Sequence, residues 1–273
     1  MAYLCRRFKV SRSGFYAWRA RDRSERRRSD EELGARIERI YADSGGRYGS
    51  PRVHKVLRRE GLYCSNKRVA RLMRERGLGA RVSRLYRRGP GMVRRFFAKT
   101  ANLRLDEPAP TSTDQIWVGD LTYLRLGKRW RYLATVMDLF SRRIVGWTLA
   151  RTRTIDVTLR ALKRAIAARS PRPGLLFHSD RGIEYSAYGY QDFLKANGIV
   201  PSMNRPRHCQ DNAHMESFFH SLKAELTHRR SYASDAELNA SIAGYIDRFY
   251  NQKRIHSSLG YHSPVEYERL VNA

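Results

Sequence analysis

Apolar residues along the first eighty positions recur every three or four residues, the spacing of helices that bury one face. Leu33, Ile37, Ile40 and Tyr41 form one such stripe, with Ser29 and Glu32 in front of it as a capping box and Gly45-Gly46 as its stop. Ser50-Pro51 opens a second helix with Val53, Val56 and Leu57 inward, ending near Gly61. Ser65 caps a third, which turns Val69, Leu72 and Met73 inward and Lys67, Arg68, Arg71 and Arg74 outward before Gly77 ends it. Two short helices joined by a tight turn, the second strongly basic, read as a helix-turn-helix-like DNA-binding domain over residues 29–80. A small helical bundle with a solvated basic face is the plainer alternative.

The texture changes after Gln115. Residues 116–124, 130–137 and 144–149 are three β-branched and aromatic runs separated by short polar turns. Thr154 then caps a helix carrying Ile155, Leu159, Leu162 and Ile166. A short strand at 175–178, a helix over 186–197, a fifth strand at 199–203 and a helix capped by Asp211 follow. The order βββ-α-β-α-β-α describes an α/β fold, a mixed five-stranded sheet covered by helices. Beyond it, Ser234 and Glu237 precede Leu238, Ile242, Ile246 and Phe249, and Ser263-Pro264 starts a last helix. The expected divisions are a basic N-terminal segment (1–28), the helical domain (29–80), a basic linker (81–112), the α/β core (113–230) and a C-terminal helical extension packed on it (231–273).

Charge narrows the partners. Of 273 residues, 54 are Lys or Arg and 26 Asp or Glu, and the excess is concentrated: 30 against 11 in residues 1–110, 24 against 15 thereafter. Much of it lies on segments patterned to fold, which favours nucleic acid over a solubilising tail. The linker adds seven basic residues around Gly89-Pro90-Gly91, interleaved with Tyr86, Phe96 and Phe97 that suit phosphates and bases. No apolar run spans a bilayer and no signal peptide opens the chain, so a cytoplasmic, nucleoid-associated protein without a membrane partner is expected. Cys5, Cys64 and Cys209 lack the spacing of a disulfide framework or a thiolate zinc site.

Three carboxylates carry the candidate chemistry. Asp120 falls inside the first strand, Asp180 just past the fourth, and Glu216 in the second turn of the helix after the fifth. Strand ends and helix flanks are where α/β sheets bind ligands, and a charge inside a strand is expensive without a partner. On a helical wheel Met215, Phe218, Leu222 and Leu226 face the core, and Glu216, His220 and Lys223 share the border. Each acid also has a bland reading, as edge gatekeeper, turn residue or solvated helix face; Asp138, before a tight connection, is assigned to turn structure. Together, three such groups call for hard cations, with Mg²⁺ the expected metal, and two ions would serve an in-line phosphoryl displacement.

The segments Trp117-Val-Gly-Asp120-Leu-Thr-Tyr123, His178-Ser-Asp180-Arg-Gly-Ile-Glu-Tyr185 and Asp211-Asn-Ala-His-Met-Glu216-Ser-Phe-Phe-His-Ser-Leu-Lys223 resemble the DDE catalytic core of IS3-family insertion-sequence transposases. The likeness extends through Tyr250-Asn-Gln-Lys-Arg-Ile-His256, Leu259-Gly-Tyr-His-Ser-Pro264, Arg47-Tyr-Gly-Ser-Pro51 and Lys67-Arg-Val-Ala-Arg-Leu-Met73, and so covers nearly the whole chain. It implies an RNase H-like, retroviral-integrase-like core, two Mg²⁺ ions replaceable by Mn²⁺, and 3′-end cleavage followed by strand transfer. It implies metal-ligand and catalytic roles for Asp120, Asp180 and Glu216, and contact with terminal DNA for Lys223. Lys67, Arg68, Arg71 and Arg74 are the candidate DNA contacts of the helical domain. Glu184 departs from the pattern, where the family often has Gln: it could perturb metal affinity or repel phosphate, or sit harmlessly in a solvated loop. The resemblance further implies a homo-oligomer on DNA and a possible upstream-frame transposase partner. The alternative is a DNA-binding regulatory or partial transposase product that occupies element ends without catalysis.

Overall fold

The computed structural model describes residues 1–20, 25–80, 100–105, 107–206, 208–228 and 230–272. The chain divides into two compact units, Met1–Ala80 and Arg81–Ala273. Tyr86, Phe96, Phe97 and the basic residues of 81–99 lie outside the described residues.

The first unit is all helical: α1 (Ala2–Arg7), α2 (Arg12–Ala20), α3 (Glu25–Asp43), α4 (Ser50–Arg59) and α5 (Asn66–Glu75). Leu33, Ile37, Ile40, Val53, Leu57, Val69, Leu72 and Met73 are buried, as their spacing requires. Ser65 caps α5, its side chain accepting from the Arg68 amide. The capping box expected at Ser29 is not there. The helix begins at Glu25, and the Ser29 hydroxyl accepts from Arg68 Nη2 at 2.9 Å. Asp30, one residue on, holds Arg68 and Arg71 together, so tertiary ion pairs lie along the stretch that local propensity would have ended.

The second unit is a five-stranded mixed sheet in the order β3-β2-β1-β4-β5, from β1 (Ile116–Leu126), β2 (Arg129–Asp138), β3 (Ile144–Ala150), β4 (Leu176–Ser179) and β5 (Val200–Met203). The first three form an antiparallel meander; β4 and β5 run parallel to β1. Residues 155–169 form α6, the crossover between β3 and β4. Trp117, Val136 and Phe177 from the sheet interlock with Val157, Leu162 and Ala165 of α6, Tyr185 of α7 (Ile183–Ser186), and Tyr190 and Leu194 of α8 (Tyr188–Ala196). Asp138, the last residue of β2, holds the turn that follows: fully buried, it accepts from the amides of Asp114 and Ser141 and from the Ser141 hydroxyl.

The helix after β5, α9 (Ala213–Leu222), has Asn212 and not Asp211 at its N-cap position, with no side-chain capping bond. Asp211 is taken up by Arg205 and Asn102, and the Arg205 pair lowers its carboxyl to about 2. The backbone continues beyond α9 as a π-helical turn over Lys223–Thr227, a shift of hydrogen-bond register that no sequence pattern announced. The tail forms α10 (Asp235–Ala243) and α11 (Pro264–Val271), the latter opened by a complete capping box of Ser263 and Glu266. The tail is fastened to the core: Asn251 both accepts from and donates to the Ile144 backbone, and Glu268 bonds Arg143 and Arg169.

One lock sits directly before the candidate site. His178 in β4 is fully buried between Ser202 Oγ (2.9 Å) and Asn204 Oδ1 (2.7 Å). Burial, with the Arg104 charge adding to it, lowers its pKa to about 4. A histidine whose folded pKa lies below its unfolded value costs stability as pH falls from about 6.5 towards 4. By this linkage wild type loses about 2 kcal/mol relative to a His178→Gln variant between pH 7.5 and pH 5. Urea unfolding at the two pH values checks it; parallel pH slopes in the two proteins would refute it.

Candidate active site

The parallel pairing of β1 with β4 ends at Gly119 against Ser179, and one residue further along each chain stand Asp120 and Asp180. Backbone register alone therefore sets two of the three predicted carboxylates side by side. A Cβ on Gly119 would come within 2.4 Å of the Phe177 ring, so the residue before Asp120 must be glycine for these strands to close with that ring between them. Gly182 serves the other strand: a Cβ there would meet Asp180 Oδ1 at 2.9 Å and Glu184 Oε2 at 3.0 Å.

Each aspartate has one oxygen fixed by a backbone amide. Asp120 Oδ1 accepts from Leu121 at 2.7 Å, and Asp180 Oδ1 from Gly182 at 3.0 Å. Arg181 anchors the loop by donating to the carbonyls of Asn204 and Thr100. Burial pushes the Asp120 carboxyl well above the usual carboxylate range, and the negative charges of Asp180 and Glu216 push it further. The Leu121 amide and the Lys223 ammonium oppose the rise. Asp180 is raised in the same direction, by burial first and then by the charge of Glu184.

Glu216 comes from α9, in its first turn and not the second as expected. The helix is braced on the strand by Asn212, whose Nδ2 donates to the Gly119 carbonyl at 3.1 Å, one residue from Asp120. Asn212 Oδ1 is buried there with no hydrogen-bond partner. Met215, Phe218, Leu222 and Leu226 are buried, and Glu216, His220 and Lys223 lie half-buried along the border, as the helical wheel predicts. Lys223 packs over the Tyr123 ring at 4.7 Å and its charge reaches Asp120; burial lowers its pKa. Among the described residues, no three His, Cys, Asp or Glu side chains are grouped as a finished metal cage. The acids are neighbours through register and charge. The donor set fits a hard divalent cation: the negative charges of Asp180 and Glu216 both act on the Asp120 carboxyl, and Asp120 and Asp180 each bind a backbone amide through Oδ1 only.

Glu184 is neither solvated nor free to repel phosphate. It is 2% exposed and paired with Arg153, which binds both carboxylate oxygens. Sequence reasoning also passed over Arg153, thirty-one residues away in the chain, although its charge counteracts that of Asp180.

Comparison with known proteins places the chain. Two models described as "Integrase core domain" match residues 110–209 and 197–264, and one described as "HTH-like domain" matches residues 28–88. The 31 kDa protein of insertion element IS600 from Shigella sonnei is 37% identical over 97% of this chain and 97% of its own length. The transposase InsF of insertion sequence IS3A from Escherichia coli is 36% identical over 97% of this chain and 92% of its own. The chain belongs to the IS3-family transposases. A chain of the simian T-cell lymphotropic virus intasome, bound to the PP2A regulatory subunit B56 gamma, shares the fold with TM-score 0.50 and 13% identity; the match covers 85% of this chain and 74% of that one.

In this transposase the four basic residues singled out on α5 have different surroundings. Lys67 and Arg74 are exposed. Arg68 and Arg71 are half-buried on Asp30, and their bonds to it, Arg71 first, lower the Asp30 carboxyl; Arg71 also pairs with Glu75. No described helix is long and apolar enough to cross a membrane.

The electrostatics at Asp120 give a direct test. Ionised Asp120 is disfavoured in the folded state by burial and by Asp180, so its raised pKa means that stability is lost as pH rises through it. In chelator at pH 8, Asp120→Asn therefore raises Tm above wild type, and the gain shrinks as the pH approaches 4. A variant Tm at or below wild type at pH 8 would show the charge to be compensated.

Proposed function

We propose that this transposase cuts the 3′ ends of its element and joins them to target DNA, with Asp120, Asp180 and Glu216 as the metal-binding catalytic acids. The observation that carries the reading is the placement of Asp120 beside Asp180 at the end of the β1–β4 pairing, with Glu216 close enough to act on Asp120. Like-charged carboxylates held out of water are unfavourable until a counter-charge arrives, and the natural one is a pair of Mg²⁺ ions, replaceable by Mn²⁺. When bound, such ions neutralise the phosphodiester, polarise it and lower the pKa of the attacking hydroxyl.

The chain's own groups set the geometry. The amides of Leu121 and Gly182 each fix one aspartate oxygen, so the carboxylates are oriented before a ligand arrives. Asn212 holds α9, and with it Glu216, against β1. Lys223 is placed to take a phosphate next to the one being cut. In cleavage, the oxygen of water bonds to phosphorus and the P–O3′ bond breaks, leaving a 3′-hydroxyl on the element. In joining, that hydroxyl attacks a target phosphodiester at the same acids and displaces another 3′-oxygen. No covalent protein intermediate is required. Joining two ends calls for a multimer on DNA, with the exposed Lys67 and Arg74 as contacts of the helical unit.

Purified protein incubated with labelled terminal DNA and Mg²⁺ or Mn²⁺ tests this. Asp120→Asn, Asp180→Asn and Glu216→Gln each abolish cleavage and joining, while DNA binding in chelator stays within about twofold of wild type. Products that persist in these variants would remove the carboxylates from the mechanism. Wild type that binds terminal DNA with the expected salt dependence yet yields no product would favour the end-occupying regulator instead.

A further inference from the structure

A second charged cleft lies apart from the carboxylates. It has a volume of about 320 Å³, and its lining includes Arg104, Arg142 and His214, with Phe140 and Tyr267 on one wall. The two rings stand 5.3 Å apart. Arg142 closes the β2–β3 connection in the left-handed region, at φ +62°, where an L side chain is strained and glycine would be relaxed. Its Nη1 is buried without a hydrogen-bond acceptor. Asp138, the carboxylate that partly offsets it, is already held by three donors. Arg104 spends one N–H on the Asp211 carbonyl. Burial lowers the pKa of both guanidiniums, and the charge of Arg104 lowers that of Arg142 further. Glu107, exposed at the rim, makes no hydrogen bond or ion pair with either arginine among the described residues.

A strained backbone that keeps an unsatisfied guanidinium facing a second one is costly unless something is gained in the bound state. We propose that this cleft is an anion site that seats the phosphate of a nucleotide unit between Arg104 and Arg142, with Phe140 and Tyr267 beside the attached sugar and base. Guanidinium forks match phosphate oxygens two at a time, and the aromatic wall suits an attached ring better than a bare ion. The inference does not need Asp120, Asp180 or Glu216 to be catalytic.

Arg142→Gly is the informative variant, because it removes the cation and relaxes the backbone at once. Arg172→Gly, on an exposed loop, makes the same change in net charge and is the control. Calorimetry in chelator, with inorganic pyrophosphate and then with a 5′-mononucleotide, reads the site. Arg142→Gly weakens binding of both probes at least about tenfold, and Arg172→Gly changes it less than about twofold. In anion-free buffer Arg142→Gly melts no lower than wild type. Duplex binding against salt, also in chelator, identifies the source. A slope about one unit shallower for Arg142→Gly assigns the phosphate to the DNA backbone, and an unchanged slope alongside lost pyrophosphate binding assigns it to a free nucleotide. Equal pyrophosphate affinity in wild type and both variants would reduce the attraction to diffuse net charge and overturn the proposal. A lower Tm for Arg142→Gly would do the same, by showing the guanidinium to be structural.

Discussion

The parallel pairing of β1 with β4 is the constraint on which the second unit turns. Parallel strands need a crossover, here α6, and the crossover brings residues sixty positions apart into adjacent register. At the end of that register the chain places two aspartates where burial makes each resist ionisation. The fold tolerates this local cost because well-satisfied contacts flank it: Trp117 and Phe177 in the core, His178 locked to β5, and Arg181 bonded to two carbonyls. A carboxylate cluster that resists its own charges is ready for cations and poorly satisfied without them.

Much of this was legible because the relevant signals are periodic. Alternating and β-branched runs give the five strands, and the stripe through Met215, Phe218, Leu222 and Leu226 gives the buried face of α9 and its half-buried border. What escaped the sequence depends on partners far along the chain. Ser29 looks like a cap until Arg68 is brought to it from thirty-nine residues away. Asp211 looks like a cap until Arg205 and Asn102 claim its carboxylate, leaving Asn212 at the helix start. The π-helical turn after Leu222 has no periodic signature; the burial of Glu225 against Arg254 and Tyr245 is a tertiary arrangement that no local spacing encodes.

The C-terminal tail thereby acquires a specific task. Arg254, 6% exposed, binds Glu225 and the Ser221 hydroxyl, which places a buried ion pair two residues after Lys223 and a hydrogen bond two residues before it. Asn251 grips the first residue of the edge strand β3, and Glu268 ties the β2–β3 connection to the end of α6. The segment around Tyr250–His256 is therefore a packing element that fixes the far end of the helix carrying Glu216, through Tyr250 on Phe218 and Arg254 on Glu225 and Ser221. Residues well outside the carboxylate cluster control where that helix sits.

The Glu184–Arg153 pair, enclosed next to Asp180, carries an evolutionary corollary. A relative with Gln at this position keeps the hydrogen-bonding shape but gives up one negative charge, which leaves an arginine at 153 with a surplus cation against the acids proposed to bind metal. Such a surplus weakens the pull on divalent ions, so natural variation at the two positions is expected to move in concert: glutamate with arginine, glutamine with a neutral partner. Within this lineage the side chain that departs from the common motif would then be half of a balanced exchange, with the compensating half encoded on the loop before α6.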